Sequence, residues 1–294
     1  MVWSCLVSIL PGMAQTEKLT DYVNPFVGTD GYGNVYPGAQ IPFGGIQISP
    51  DTDSRFYDAA SGYKYNHLTL MGFSLTHLSG TGIPDLGDFL FIPGTGEMKL
   101  EPGTHEDPDQ GYRSRYSHDK EWASPNYYAV ELADYGVKAE MTSGVRSGMF
   151  RFTYPESDNA FIMIDMNHTL WQSCEWSNLR MINDSTITGY KLVKGWGPER
   201  HVYFTATFSK KLTGLRFVQD KKPVIYNTSR FRSSYEAWGK NLMACISFDT
   251  KAGEEVTVKT AISAVSTDGA RNNMKELDGL TFNELRAKGE ALWE

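Results

Sequence analysis

One histidine, two aspartates and a glycine-rich turn stand close together in residues 72–94, GFSLTHLSGTGIPDLGDFLFIPG. Phe73, Leu75 and His77 alternate with Ser74, Thr76 and Leu78, so a strand here sets the imidazole on the same face as two apolar side chains. Ser79-Gly80-Thr81-Gly82 turns the chain, with glycines where positive φ or close backbone approach is needed. Asp88-Phe89-Leu90-Phe91-Ile92 reads as a second strand, stopped by Pro93-Gly94, and the turn brings Asp85 or Asp88 towards His77. Two chemistries suit such a group. A buried imidazole satisfied by an aspartate or a backbone carbonyl braces the loop, because buried polar groups must be paired whatever their role. An imidazole ending at an open face instead binds ligand hydroxyls. The glycine turn favours a mixture, in which His77 orders the loop and atoms near Ser79 and Gly80 meet the ligand.

These residues need a scaffold, and the rest of the chain describes one. The 294 residues allow one large β domain or two ordinary domains, and a hydrophobic content of 40% supplies a core. Aromatic residues reach 13%, which suits strands and also suits sugar recognition, since rings stack on the C–H faces of pyranoses. A net charge of −7 with no basic stripe argues against nucleic acid. Cys5, Cys174 and Cys245 form neither a metal motif nor a disulfide framework. No apolar run is long enough for a transmembrane segment. Residues 1–15, MVWSCLVSILPGMAQ, resemble a clipped secretory signal without its basic n-region; an ordinary N-terminal strand is the alternative.

Residues 30–53 are rich in Gly and Pro and exclude a helix, leaving ordered loop around a short Ile46-Gln47-Ile48 strand; such loops often carry binding sites. Gly31-Tyr32-Gly33 matches neither dinucleotide nor Walker spacing. From Tyr127 onward, strands recur between turn residues, among them His201 to Phe208, Asn241 to Phe248 and Glu255 to Ser266. The pattern predicts an all-β fold, a two-sheet antiparallel β-sandwich, over residues 16–267. Thr281-Phe282-Asn283-Glu284 is a capping box opening a helix with an apolar stripe, so residues 268–294 read as a helical linker. With neither Gly nor Pro to end it, this helix reads as the start of something longer.

Three long segments carry a family resemblance: VNPFVGTDGYGNVYPGAQIPFGGIQISPDT, SGYKYNHLTLMGFSLTHLSGTGIPDLGDFLFIP, and AISAVSTDGARNNM before FNELRAKGEALWE. Together they resemble the amino-terminal domain of glycoside hydrolase family 92, calcium-dependent inverting exo-α-mannosidases, across nearly everything after the leader. The resemblance implies a β-sandwich joined through helices to an (α/α)6 barrel that supplies the acid, the base and the calcium ligands. It implies a mannose-containing glycan as substrate, the barrel as intramolecular partner, and a periplasmic or extracellular location, with a lipid on Cys5 as a further alternative.

Inverting hydrolysis needs an acid and a base roughly 6.5–9.5 Å apart. Asp85 and Asp88 share one turn, Asp51 and Asp53 sit beside Arg55, and Glu175 lies between Cys174 and Trp176; none forms a convincing pair, so no catalytic residue is assigned. Asp51-Thr52-Asp53 is only a fragment of a calcium site, so no metal ligand is assigned either. Substrate contact is what this chain offers, through Thr29, Asp30, Asp53, Arg55, Tyr63, His77, Ser79, Gly80 and Trp196, whose types bind hydroxyls and ring faces. Each has a structural alternative: Asp53–Arg55 as an ion pair, Tyr63 as a strand aromatic, Trp196 as core. Three functions follow: one wall of a mannosidase site with no catalysis alone, a stand-alone carbohydrate-binding module, or a complete hydrolase. The unfinished helix favours the first over the second, and the missing carboxylate pair counts against the third.

Overall fold

The alternation resolves into two antiparallel sheets packed face to face. A computed structural model describes residues 17–54, 59–225 and 236–294. The leader reading of residues 1–15 and the Arg55 assignment lie outside the described residues. One seven-stranded sheet runs, in spatial order, through β1 (Ser49–Asp51), β3 (Gly72–Ser74), β4 (Leu90–Thr95), β10 (Ser157–Asp165), β17 (Leu242–Thr250), β14 (Gly214–Gln219) and β15 (Lys222–Pro223). The nine-stranded sheet runs through β16 (Glu236–Gly239), β11 (Ser173–Asn183), β12 (Thr186–Lys194), β13 (Arg200–Phe208), β18 (Glu254–Ser263), β9 (Ser147–Tyr154), β8 (Val137–Ser143), β7 (Tyr127–Leu132) and β6 (Glu121–Ser124). A short ribbon pairs β2 (Thr69–Leu70) with β5 (Ser114–Arg115).

Period-two patterning builds the core. Phe150 and Phe152 of β9 point between the sheets against Phe91 of β4, with Phe91 and Phe150 ring centroids 4.9 Å apart. Burying each such ring contributes about 1.5–3 kcal/mol. The strand β10 is buried on both sides: Ile162 and Ile164 join the main core, while Phe161 and Met163 pack outward under Met98, Leu100 and Tyr112.

The segment around His77 departs from expectation. Its first strand ends at Ser74, and the second starts at Leu90 and runs through Pro93 and Gly94 to Thr95. The strand β3 pairs with β4 only at Phe73–Phe91, whereas β10 pairs with β4 as far as Thr95. Pro93 therefore sits where one edge of β4 has no strand neighbour, and the missing N–H costs no ladder bond there. Ile48 makes only a single bridge, to Ala39, and the adjacent strand is Ser49–Asp51. Sequence reasoning passes over β11 and β12, whose outward faces mix polar and aromatic residues.

Two α-helices lie against the nine-stranded sheet: α1 (Thr267–Met274) on β18 and β13, and α2 (Phe282–Trp293) on β8 and β9. The Thr281–Glu284 capping box is formed. Phe282 and Leu285 bury against Tyr127, Ala129 and Met149, while Leu292 stays exposed. Among the described residues, no helix is long and apolar enough to cross a membrane.

Candidate functional site

Four loops meet at one end of the sandwich. Residues 24–34 fold on themselves: the Asn24 side chain accepts from the Phe26 amide at 3.0 Å, and the Thr29 hydroxyl donates to the Phe26 carbonyl at 2.8 Å. Gly28 and Gly31 supply the positive φ that this tight winding requires. Tyr65 donates its amide to the Thr29 carbonyl at 3.0 Å, Lys64 reaches the Gly31 carbonyl, and Gly80 donates its amide to the Asn34 carbonyl at 2.7 Å. Thr29, Asp30, Ser79 and Gly80 thus belong to one connected surface. Thr29 is buried as a latch; Asp30, Ser79 and Gly80 are exposed.

His77 lies beneath this surface with its side chain wholly enclosed. Its Nδ1 is 2.9 Å from the Gln47 carbonyl oxygen and its Nε2 is 2.8 Å from Asp51 Oδ1. The other Asp51 oxygen, Oδ2, is 2.8 Å from His168 Nε2. A buried His77–Asp51–His168 chain results, and the partner is Asp51 rather than Asp85 or Asp88. Burial pushes the Asp51 carboxyl up, but His77 and His168 outweigh it and hold the group well below the usual carboxylate range. Gly62 is obligatory above the chain, since a Cβ there would stand 2.1 Å from Asp51 Oδ1.

Asp88 is engaged elsewhere. Lys191 Nζ, fully buried, lies 3.1 Å from Oδ1, Arg200 Nη1 lies 2.6 Å from Oδ2, and the Thr76 hydroxyl donates at 2.7 Å. Burial raises this carboxyl, while the Lys191 and Arg200 charges bring it well below the usual range. Arg200 also approaches Asp85 at 3.9 Å. Leu170 donates its amide to the Leu86 carbonyl at 3.0 Å, and Gln172 donates to the Pro84 carbonyl at 2.7 Å. Residues 79–88 therefore join the glycine loop to residues 167–172 and to the β12–β13 hairpin. Trp171 stands exposed there at φ +73°, a conformation that a bulky residue adopts only under surrounding constraint. Trp196, on the hairpin, is exposed and not core.

The remaining assigned residues turn inward. Tyr63 is buried and donates to Glu121 at 2.9 Å, leaving no ring face open to a ligand; burial raises its phenol. Asp53 is buried and meets His105 Nε2 at 3.0 Å. The side chains of His77, Tyr63 and Asp53 are thus each engaged with a neighbouring side chain, Asp51, Glu121 and His105 respectively. Beside His168 opens a cavity of about 980 Å³, lined also by Asp165, Asn167, Trp171 and Gln172. His168, Lys191 and Arg200 carry no local motif; only the run of polar and aromatic residues at 167–172 marks its loop in the sequence.

Chemically, this end can bind hydroxyls and ring faces. Asp51 and Asp88 are each held in the ionised form by their partners, the opposite of what a general acid needs. Among the described residues, no three His, Cys, Asp or Glu side chains converge as metal ligands.

A model of the glycosyl hydrolase family 92 N-terminal domain matches residues 22–263, which span the eighteen strands of the described residues and the four loops. The chain belongs to glycoside hydrolase family 92. An uncharacterized secreted glycosidase of Arthroderma benhamiae is 30% identical over 93% of this chain and 37% of its own length. The solved structure of the GH92 glycosyl hydrolase ccman5 matches at TM-score 0.78 and 26% identity, over 93% of this chain and 36% of that one. The GH92 inverting mannosidase BT2199 of Bacteroides thetaiotaomicron shares the fold at TM-score 0.78 and 24% identity, over 95% and 36%. The chain thus spans little more than a third of the length of each of these relatives.

Proposed function

We propose that this family 92 domain forms one wall of an α-mannosidase site acting on mannose-containing glycans such as N-glycans or mannans. The loop-built end is that wall. Asp30, Ser79 and the Gly80 backbone offer hydrogen bonds to hydroxyls, and Trp196 and Trp171 offer ring faces. His77, Asp51 and His168 fix the loop backbone from below. The acid, the base and the calcium ligands of single-displacement hydrolysis belong to a further part of a longer protein, an (α/α)6 barrel, and the protein works outside the cytoplasm. The observation that carries this reading is the joining of four loops into one exposed polar and aromatic surface whose buried acids are all engaged with neighbouring side chains. The names of the relatives, a secreted glycosidase and an inverting mannosidase, agree with it.

Incubation of the 294-residue chain with a panel of α-mannobioses and calcium tests the division of labour. No turnover is expected from the chain alone. Turnover that EDTA abolishes would overturn the reading, because the chain would then hold a complete catalytic centre.

A further inference from the structure

Away from the loop-built end, the exposed face of the nine-stranded sheet carries a second constellation. We propose that the groove over β16, β11, β12 and β13 binds a neutral oligosaccharide chain at a site separate from the family 92 wall. The class of ligand rests on the glycosidase reading above; the groove rests on the sheet register. Trp238 stands opposite Asn178, Asn178 opposite Tyr190, and Tyr190 opposite Tyr203, so one cross-strand row reads Trp, Asn, Tyr, Tyr. Strands lie about 4.8 Å apart, which sets Trp238 and Tyr190 roughly 10 Å apart along the row, the span of a short oligosaccharide. Ile187, Gly189 and Val193 of β12 lie on the inner face; Thr188, itself buried, and the half-buried Tyr190 lie on the other face and line the depression. The next row is Glu236, Arg180, Thr188 and Thr205. The first turns of α1 wall one side with Asp268 and Arg271, and the depression holds about 840 Å³.

The chemistry of the floor selects the occupant. Trp238 is 54% exposed, a large ring left in water on the edge strand β16, at one end of the row. The Tyr190 and Tyr203 rings lie 4.8 Å apart, and Tyr190 also stacks on His201 and shares a 3.1 Å hydrogen bond with it, which fixes the ring. Aromatic faces are electron-rich and attract the polarised C–H bonds of a pyranose. Around them the charges cancel, Arg180 and Arg271 against Glu236 and Asp268, so the groove has no net pull on a polyanion. A protein interface concentrates apolar contact at its centre, whereas here Asn178, Thr188 and Arg180 alternate with the rings. Rings spaced along a row among neutral-sum polar groups suit an uncharged, hydroxyl-rich polymer. A polysaccharide held there raises the local concentration of its ends at the catalytic wall without adding to catalysis.

Native electrophoresis of the 294-residue chain through gels containing soluble yeast α-mannan, and separately soluble starch, tests the groove. We expect retardation by one of them. Trp238→Ala and Tyr203→Ala should each weaken it by about tenfold or more, the loss of one good contact. Trp238→Tyr, which keeps a ring, should restore most of it, and circular dichroism of each variant checks the fold. Trp122→Ala, an exposed ring on β6 at the opposite edge of the same sheet, should leave retardation unchanged. Retardation by starch alone, lost in the same variants, would support the groove and count against mannose as the substrate. Unchanged mobility in both gels would overturn the proposal, as would retardation that survives both alanine variants.

Discussion

At the loop-built end, buried carboxylates hold the backbone: Asp51 between two imidazoles, Asp88 between Lys191 and Arg200. On the flank under α2, the same sheet is closed by Tyr127, Met149, Phe282 and Leu285, with Arg286 lying 3.6 Å from the Tyr127 ring centroid. Apolar burial adds stability in proportion to area and tolerates small shifts. Buried ion pairs add little net stability, because desolvation offsets attraction, yet they fail steeply when one member is lost. The contrast assigns each device a task. The flank secures the fold, and the loop end accepts a poorer return in stability to fix directions at an exposed surface.

The largest expected effect falls on the ionic side. Asp88→Ala leaves Lys191 buried without its carboxylate partner, and should lower unfolding stability by about 3–5 kcal/mol, measured by urea denaturation. Phe282→Ala on the flank should cost about 3 kcal/mol, the low end of the range for aromatic truncation, since one side of the ring is covered by the mobile-stemmed Arg151 guanidinium, 4.4 Å from its centroid, which can settle into the space left. If Phe282→Ala proved the more damaging, the ionic brace would be weaker than its burial implies.

His77→Ala should cost about 1–3 kcal/mol by orphaning an Asp51 oxygen. Its second signature is pH dependence. The folded Asp51 carboxyl lies below its unfolded value, so its contribution is present above about pH 3.9 and is lost as pH falls through the folded value. Removing His77 takes away one of the partners that lower it. The drop in urea midpoint between pH 5 and pH 3 should therefore be smaller in the variant. An unchanged or larger drop would show that Asp51 is not the group braced by His77.

The two devices were unequally legible in the sequence. Alternation with turn residues announced the sandwich, and Thr281 with Glu284 announced α2, because those signals lie within a few residues of each other. The glycines of residues 28–33 and 79–82 marked the exposed loops, since backbone conformation is written locally. The buried partners were not legible. His77 meets an aspartate 26 residues before it, and Asp51 meets a histidine 117 residues beyond it, contacts that exist only after loops from both sheets have docked. Asp88 seemed available to His77 by proximity in the turn, but its true partners arrive from β12 and β13. Trp196 was ambiguous for a related reason: a tryptophan between glycines can be core or surface, and only the hairpin's position decides.

The smallest effect on stability belongs to Trp196→Ala, and it sharpens the comparison most. The ring is 70% exposed on a hairpin tip, so stability should stay within about 0.5 kcal/mol of the parent. If the ring is a stacking face of the proposed wall, kcat/KM of the full-length enzyme for an α-mannobiose should fall by about tenfold, the loss of one good contact. His77→Ala in the same assay should show the reverse signature, with stability lost first and sugar contact weakened only as the loop backbone loosens at Gly80. The two variants thus separate a residue that touches the ligand from one that positions the residues that do. A Trp196→Ala enzyme with unaltered kcat/KM would withdraw the hairpin from the wall and leave Asp30, Ser79 and Gly80 as its contact surface.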